Sequence, residues 1–408
     1  MVDVVIVGAG PGGTAAAIEL ARAGRDVVVL DKAMFPRDKC CGDGLTTGAL
    51  RHLDALGLNP GRVASWEPIA SCWVRSPSGR TVEFPFPADG VFGAVARRTD
   101  LDHALVELAR DAGASIRESE TVTDVSWSDE GVTVVSRGAA PVSGRFLVAA
   151  DGMWSTVRKA VGAGDPGYLG EWHAFRQYLR ADGAASRRMW VWFEEGLLPG
   201  YAWCFPLPDG VVNVGFGILR QPGEKTRSMA ETWRNLLEVP HIRETLGVVT
   251  PESAHKAWPI PARLPDSTLE AAGGRILFVG DAARASDPMT GEGIGQALET
   301  GRLAAAAITR AGPHAPADAA RWYRGELRRG MSVDHRLASI LSVALRSPKG
   351  ARGAVRVAGA TDWTRRNFGR WLFEDYPRAV LATPHRWHRG MLHGPGPFPG
   401  QRSDKDNE

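Results

Sequence analysis

The sequence predicts a mixed α/β fold, in which a Rossmann-like nucleotide-binding domain is interlocked with an antiparallel-sheet domain and followed by C-terminal helices. Three observations carry this. Residues 3–7 are a continuous apolar run that passes directly into a glycine-rich turn. A second such run, RILFVGD at 275–281, lies far along the chain and ends on another glycine and an acid. Between them, residues 170–218 change to alternating, aromatic-rich segments such as MWVWFEE and YAWCFPLPDGVVNVGFGI. That pattern belongs to an antiparallel sheet with one face on a pocket. With 408 residues, the chain exceeds one simple core and suits two domains.

The elements follow in order. Residues 3–7 read as a parallel strand buried on both faces. A helix over 12–23 ends near Gly24, and 26–30 form the next strand, which completes the front of a βαβ unit. Residues 72–75 and 80–84 form a hairpin around Pro77-Ser78-Gly79. Residues 100–112 read as a helix with Asp100 as N-cap and Gly113 past its end. A second hairpin joins 121–126 to 131–136, and a strand at 145–150 follows. After 275–281 come helices at about 293–311 and 317–344. The polar, Pro- and Gly-rich tail from 396 reads as disordered. These elements divide the chain into a nucleotide domain of 1–70, 98–165 and 272–311 and a sheet domain of 71–97 and 166–271. A helical region at 312–395 and the tail at 396–408 complete it.

Composition narrows the function. A net charge of +3 makes no case for nucleic acid. No apolar run spans a bilayer, and the immediate entry into a strand leaves no secretory signal peptide. Cys40, Cys41, Cys72 and Cys204 show no CxxC spacing and no Cys/His metal cluster, consistent with a reducing cytoplasm.

Three motifs carry the chemistry. Gly8, Gly10 and Gly13 form GxGxxG directly after a strand, with Pro11 among them. The first glycine permits a tight turn, the second lets a pyrophosphate approach, and the third lets helix and strand pack closely. The helix N-terminus then offers free N–H groups to phosphates. Asp31, followed by Lys32, closes the second strand where a ribose diol is gripped. The middle motif places Asp151-Gly152 after a buried strand, with Ser155 and Arg158 on the helix beyond. In the third, Gly280-Asp281 ends a strand, Pro288 fixes the loop, and GEGIG (Gly291, Gly293 and Ile294 among its residues) opens a helix. Amides there can approach a flavin ring and stabilise charge on its reduced form. In this order the motifs specify FAD.

The three segments resemble those of the flavoprotein superfamily with the para-hydroxybenzoate hydroxylase fold, over roughly residues 1–310. Two further stretches, FPRDKCCGDGLTTGAL (35–50) and PGYAWCFPLPDGVVNVGFG (199–217), are similar to geranylgeranyl reductase-type proteins. RRTDLDHALVEL (97–108) is similar too, with Arg98 in the place of an Arg near the flavin nucleotide. The loop that follows the second strand and its Asp31 also offers Cys41 and Gly42 as cofactor contacts, with Val122 as a further one. The resemblance implies reduction of C=C bonds in a prenyl or related hydrophobic substrate, with NAD(P)H as reductant. Archaeal lipid-type members carry Lys after YxWxFP, where this chain has Leu207. WPIP at 258–261 only superficially echoes the WxWxIP of tryptophan halogenases. The alternative activity on the same scaffold is an FAD-dependent monooxygenase, a hydroxylase or epoxidase.

For alkene reduction the sequence offers Cys41 and Asp43 as proton donor or relay, although Cys41 also reads as a small buried residue. Tyr201, Trp203 and Phe205 alternate on one strand face, either as a channel wall or as inter-domain core. Residues 362–389 mix Trp363, Phe368, Trp371 and Trp387 with six arginines. They suit either peripheral contact with the inner membrane face or a helix packed on the core with a solvated basic side.

Overall fold

The computed structural model describes residues 1–220, 227–388 and 390–399. Its first sheet grows from the N-terminal apolar run. Val2–Val7 pairs in parallel with Val27–Leu30 on one side and Val142–Ala149 on the other, with Val4 opposite both Val27 and Phe146. Ile276–Phe278 extends the sheet beyond Val142–Ala149, and Ser115–Arg117 extends it beyond Val27–Leu30, both in parallel. Val4, Val5, Ile6 and Val29 are fully buried, which explains the unbroken apolar runs. The helices Pro11–Arg22 and Ile294–Ala311 cross so closely that a Cβ on Gly301 would lie 2.1 Å from the Gly12 carbonyl oxygen. This crossing brings the first and third motifs to one place.

The second sheet runs in the order 249–251, 172–181, 211–219, 201–206, 189–192, 71–75, 81–85, with 256–260 also on 172–181. It is not wholly antiparallel. Met189–Trp192 lies parallel to Ser71–Arg75, because the hairpin at 71–85 joins from a distant part of the chain. Trp203 stands opposite Gly215, where the absence of a side chain leaves room for the indole. A small sheet of 44–45, 94–95 and 67–68 carries the segment after the second strand.

Three expectations change. The helix expected from Asp100 begins at Arg98, with Arg97 at the cap position and Asp100 in the first turn. There Asp100 sits near the positive end of the helix, which suits an acid as well as capping does. The single helix expected at 317–344 is two, Pro316–Arg329 and Met331–Leu345, broken at Gly330, whose φ of −107° and ψ of −99° are not helical. The tail is packed at its start: Phe398 meets Trp66 edge-on at 5.6 Å, and the Val91 amide donates to the Pro397 carbonyl. The remainder of that tail, 400–408, lies outside the described residues. At 362–389 the helix Asp362–Leu372 turns Phe368 and Trp371 inward, while Trp363 and Trp387 are exposed.

Candidate active site between the two sheets

A cavity of about 1000 Å³ runs between the sheets and reaches the C-terminal helices. It gathers residues the sequence singles out from across the chain. Gly8, Gly10, Pro11, Asp31, Lys32, Cys41, Gly42, Asp43, Arg98 and Val122 line it, as do Asp151, Gly152, Tyr201, Trp203, Asp281, Gly291, Gly293 and Ile294. Gly13 and Pro288 do not. Gly13 has the packing role expected of it, since a Cβ there would lie 1.8 Å from the Gly8 carbonyl oxygen. The Pro288 carbonyl accepts from Trp172 Nε1 at 3.1 Å and Ser342 Oγ at 3.3 Å, which holds the loop in place.

At the glycine turn, Gly8 has φ +102°, and a Cβ would strike the Ala150 carbonyl oxygen at 2.3 Å. Gly10 caps the helix Pro11–Arg22 without a side-chain hydrogen bond, so the first-turn amides stay open. The space beside Gly10 holds one neighbour, Arg37 Nη2, at 3.7 Å from where a Cβ would stand. Arg37 and Arg98 share Asp102. Arg98 donates to both of its oxygens at 2.7 Å, and Arg37 Nη1 lies 2.9 Å from Oδ2. Two oriented guanidiniums beside open amides form an anion cradle. Asp31 is held by the Ala9 amide at 2.7 Å and the Ala33 amide at 2.8 Å. Glu120 lines the cavity nearby, its Oε2 buried without a partner. Glu120 lies outside every motif, and Arg37 falls within the 35–50 stretch without having been singled out there.

The middle motif lines the cavity with Asp151 and Gly152. Asp151 accepts from Ser155 Oγ at 2.6 Å and the Val157 amide at 3.0 Å. Its carboxylate is thus used in ordering the turn into Thr156–Ala160. Arg158 donates to the carbonyls of Thr268, Ala282 and Ala163, tying this turn to the third motif. There, Asp281 lies 3.9 Å from Lys39. Sequence reasoning missed Asp287, which organises the loop by accepting from the amides of Met289 and Thr290 at 2.9 and 2.8 Å. Burial would raise its pKa, but the buried Arg378 guanidinium at 2.9 Å, His335 and the two amides together hold it low. Tyr201 donates its hydroxyl to the Thr290 carbonyl. Burial, with Glu374 nearby, pushes Glu292 up to about 8.

Asp43 is the most constrained acid. It is fully buried, with φ +65°. Its Oδ2 accepts from Tyr178 Oη at 2.5 Å and Asn213 Nδ2 at 2.8 Å, while Oδ1 has no partner. Burial pushes its pKa up to about 6, against the pull of those two donors. Asn213 also donates to the Cys41 carbonyl and accepts from Trp203 Nε1 at 3.0 Å. Trp203 thus joins the aromatic wall to the acid. Tyr201, Trp203 and Phe205 form that wall, with successive rings 6.0 and 6.1 Å apart. Cys41 Sγ accepts from the Asp43 amide at 3.3 Å, and burial pushes the thiol up to about 12. A proton held that tightly makes Cys41 a poor shuttle near neutrality.

Open amides, paired guanidiniums, Asp31 and the unpartnered Glu120 oxygen fit the pyrophosphate and ribose of a dinucleotide. The third loop meets the same cavity where a flavin would sit. Comparison with known proteins agrees. Residues 1–310 match the FAD binding domain family. The chain is 36% identical over 393 residues to a menaquinone reductase of Mycolicibacterium smegmatis, covering 88% of this chain and 91% of that one. It is 32% identical over 310 residues to digeranylgeranylglycerophospholipid reductase 2 of Methanopyrus kandleri, covering 74% and 75%. A geranylgeranyl bacteriochlorophyll reductase-like structure from Thermoplasma acidophilum shares the fold with a TM-score of 0.77 at 21% identity, over 95% of this chain and 99% of that one. A halogenase PltM variant in complex with FAD superposes with a TM-score of 0.68 at 20% identity, over 96% and 85%. The chain therefore belongs to the FAD binding domain family, as an FAD-dependent oxidoreductase of the geranylgeranyl reductase and menaquinone reductase type.

Proposed function

We propose that the protein reduces a C=C bond in the prenyl chain of a lipid or quinone, with NAD(P)H as the external reductant. One observation carries this reading: the cavity that begins at the glycine turn continues without interruption into an apolar stretch. Cys72, Val74, Phe84 and Met189 line that stretch from the sheet, and Leu341, Val355, Phe368 and Leu372 line it from the C-terminal helices. Such a channel has the chemistry of a hydrocarbon chain and little to offer a polar substrate.

Bound and reduced FAD supplies a hydride; the chain supplies position, dryness and a proton. An isolated alkene is a poor hydride acceptor, so alignment must contribute heavily. The wall of Tyr201, Trp203 and Phe205 restricts the alkene and excludes water. Asp43 holds a proton at Oδ1, the oxygen left free while Tyr178 and Asn213 occupy Oδ2. With a pKa of about 6, it both gives up that proton and regains it near neutrality. Tyr178 and Asn213 orient the carboxyl, and Arg176 over the Tyr178 ring at 4.2 Å steadies the phenol.

The test is anaerobic. The flavoprotein is reduced and mixed with menaquinone or a geranylgeranyl lipid. Flavin reoxidation without O₂, with a product richer by two hydrogens in its chain, supports the reductase. Reoxidation that requires O₂ and leaves oxygen in the product would instead establish the monooxygenase reading. Rapid mixing of the oxidised protein with NADPH, following the loss of flavin absorbance, tests the reductant.

A further inference from the structure

The cavity opens on the C-terminal helices. Ala344, near the end of Met331–Leu345, and Ala354, within Pro348–Ala358, both line the cavity and are both exposed. The helices meet tightly there, since a Cβ on Gly350 would stand 1.8 Å from the Ala344 carbonyl oxygen. Exposed apolar side chains stand on the same two helices: Ile340 is 67% exposed, Val343 57% and Val357 70%. Residues 335–361 contain no Asp or Glu, yet include the exposed cations Arg336, Arg346, Lys349, Arg352 and Arg356. The last three recur at helical spacing and form one stripe. Ala351, Val355 and Ala358 bury the opposite side of that helix.

The geometry points to a bilayer-docking face: the rim formed by these two helices seats on an anionic lipid surface, so that a lipid-borne chain enters the cavity without crossing water. Apolar side chains set among cations, with no acid in the segment, have the chemistry of an interfacial anchor. Among the described residues no helix is long and apolar enough to cross a membrane, so the contact is peripheral. The charge disfavours a cationic partner surface and favours an anionic one. The identity of the entering chain rests on the reductase reading; the docking itself does not.

The experiment is co-sedimentation of FAD-loaded protein with phosphatidylcholine vesicles, with and without phosphatidylglycerol. Wild-type protein is expected to bind the anionic vesicles and to release in salt. Each cation at an anionic surface contributes about fivefold in binding, so Lys349→Gln, Arg352→Gln and Arg356→Gln together should weaken it by about 100-fold. Ile340→Ser with Val343→Ser should weaken it as well. All of these sites are exposed, and unchanged FAD content and circular dichroism confirm folding. Equal binding of the triple variant, or no preference for anionic vesicles, overturns the proposal. So does a solution dimer that the Ile340→Ser/Val343→Ser variant splits, which would make this face a contact between copies. Reduction of a detergent-dispersed short prenyl substrate should be the same in wild type and triple variant. Vesicle binding without any prenyl reduction would fail the reductase reading while supporting the docking face.

Discussion

Tyr178→Phe isolates the environment of Asp43. In the wild type, burial raises the carboxyl from 3.8 to about 6 even though Tyr178 and Asn213 favour its ionised form. A hydrogen bond to a charged group contributes about 1.5–3 kcal/mol, and one pH unit corresponds to about 1.36 kcal/mol. Removing the phenol hydroxyl should therefore move the Asp43 midpoint up by roughly one to two units, to about 7–8. The assay is an infrared titration of the buried carboxylic acid band, assigned by its disappearance in Asp43→Asn. Stability should follow with a defined sign. A carboxyl raised on folding stabilises the native state fully below its unfolded pKa, and that contribution is lost as pH rises through the folded value. For the wild type the loss spans 3.8 to about 6 and amounts to about 3 kcal/mol. In Tyr178→Phe it extends upward, to about 7–8. A midpoint that stays near 6, or falls, would refute the assignment of the Tyr178–Asp43 bond as a brake on protonation.

Other outcomes follow from the same geometry. Gly10→Val places a branched side chain beside the open amides of the glycine turn and should weaken FAD binding at least about 10–100-fold, read from flavin stoichiometry after gel filtration; normal FAD content would remove the pyrophosphate from this turn. Arg378→Met leaves Asp287 buried without its cation and should cost about 3–5 kcal/mol in denaturant unfolding, whereas a loss below about 1 kcal/mol would deny the pair its role in holding the loop. Glu292 titrates at about 8, so a pH titration of bound FAD absorbance should show a step there that Glu292→Gln abolishes. A step retained in that variant would belong to another group.

The nucleotide side was largely legible because its signals are local. A buried strand, a glycine turn and a terminal acid must follow one another in sequence for the backbone to wrap a pyrophosphate, so Gly8, Gly10 and Asp31 announce themselves. The helix break at Gly330 was less visible, since one glycine inside a periodic pattern is usually tolerated. The hydrogen bonds by which Asp151 orders its turn were not legible, because Asp-Gly followed by Ser155 reads the same whether the carboxylate faces a cofactor or caps the turn.

The amino-acid sequence alone determined the cofactor class, the apolar strands that frame it and the aromatic alternation of the wall at 201–205. Which distant groups share the buried site was decided by tertiary structure. Tyr178 and Asn213 meet Asp43 across more than a hundred residues, and Arg378 reaches Asp287 from beyond the FAD-binding segment. No spacing encodes such pairs. Each is selected because a buried charge must find a donor or counter-charge, and folding, rather than chain order, determines which one lies within reach.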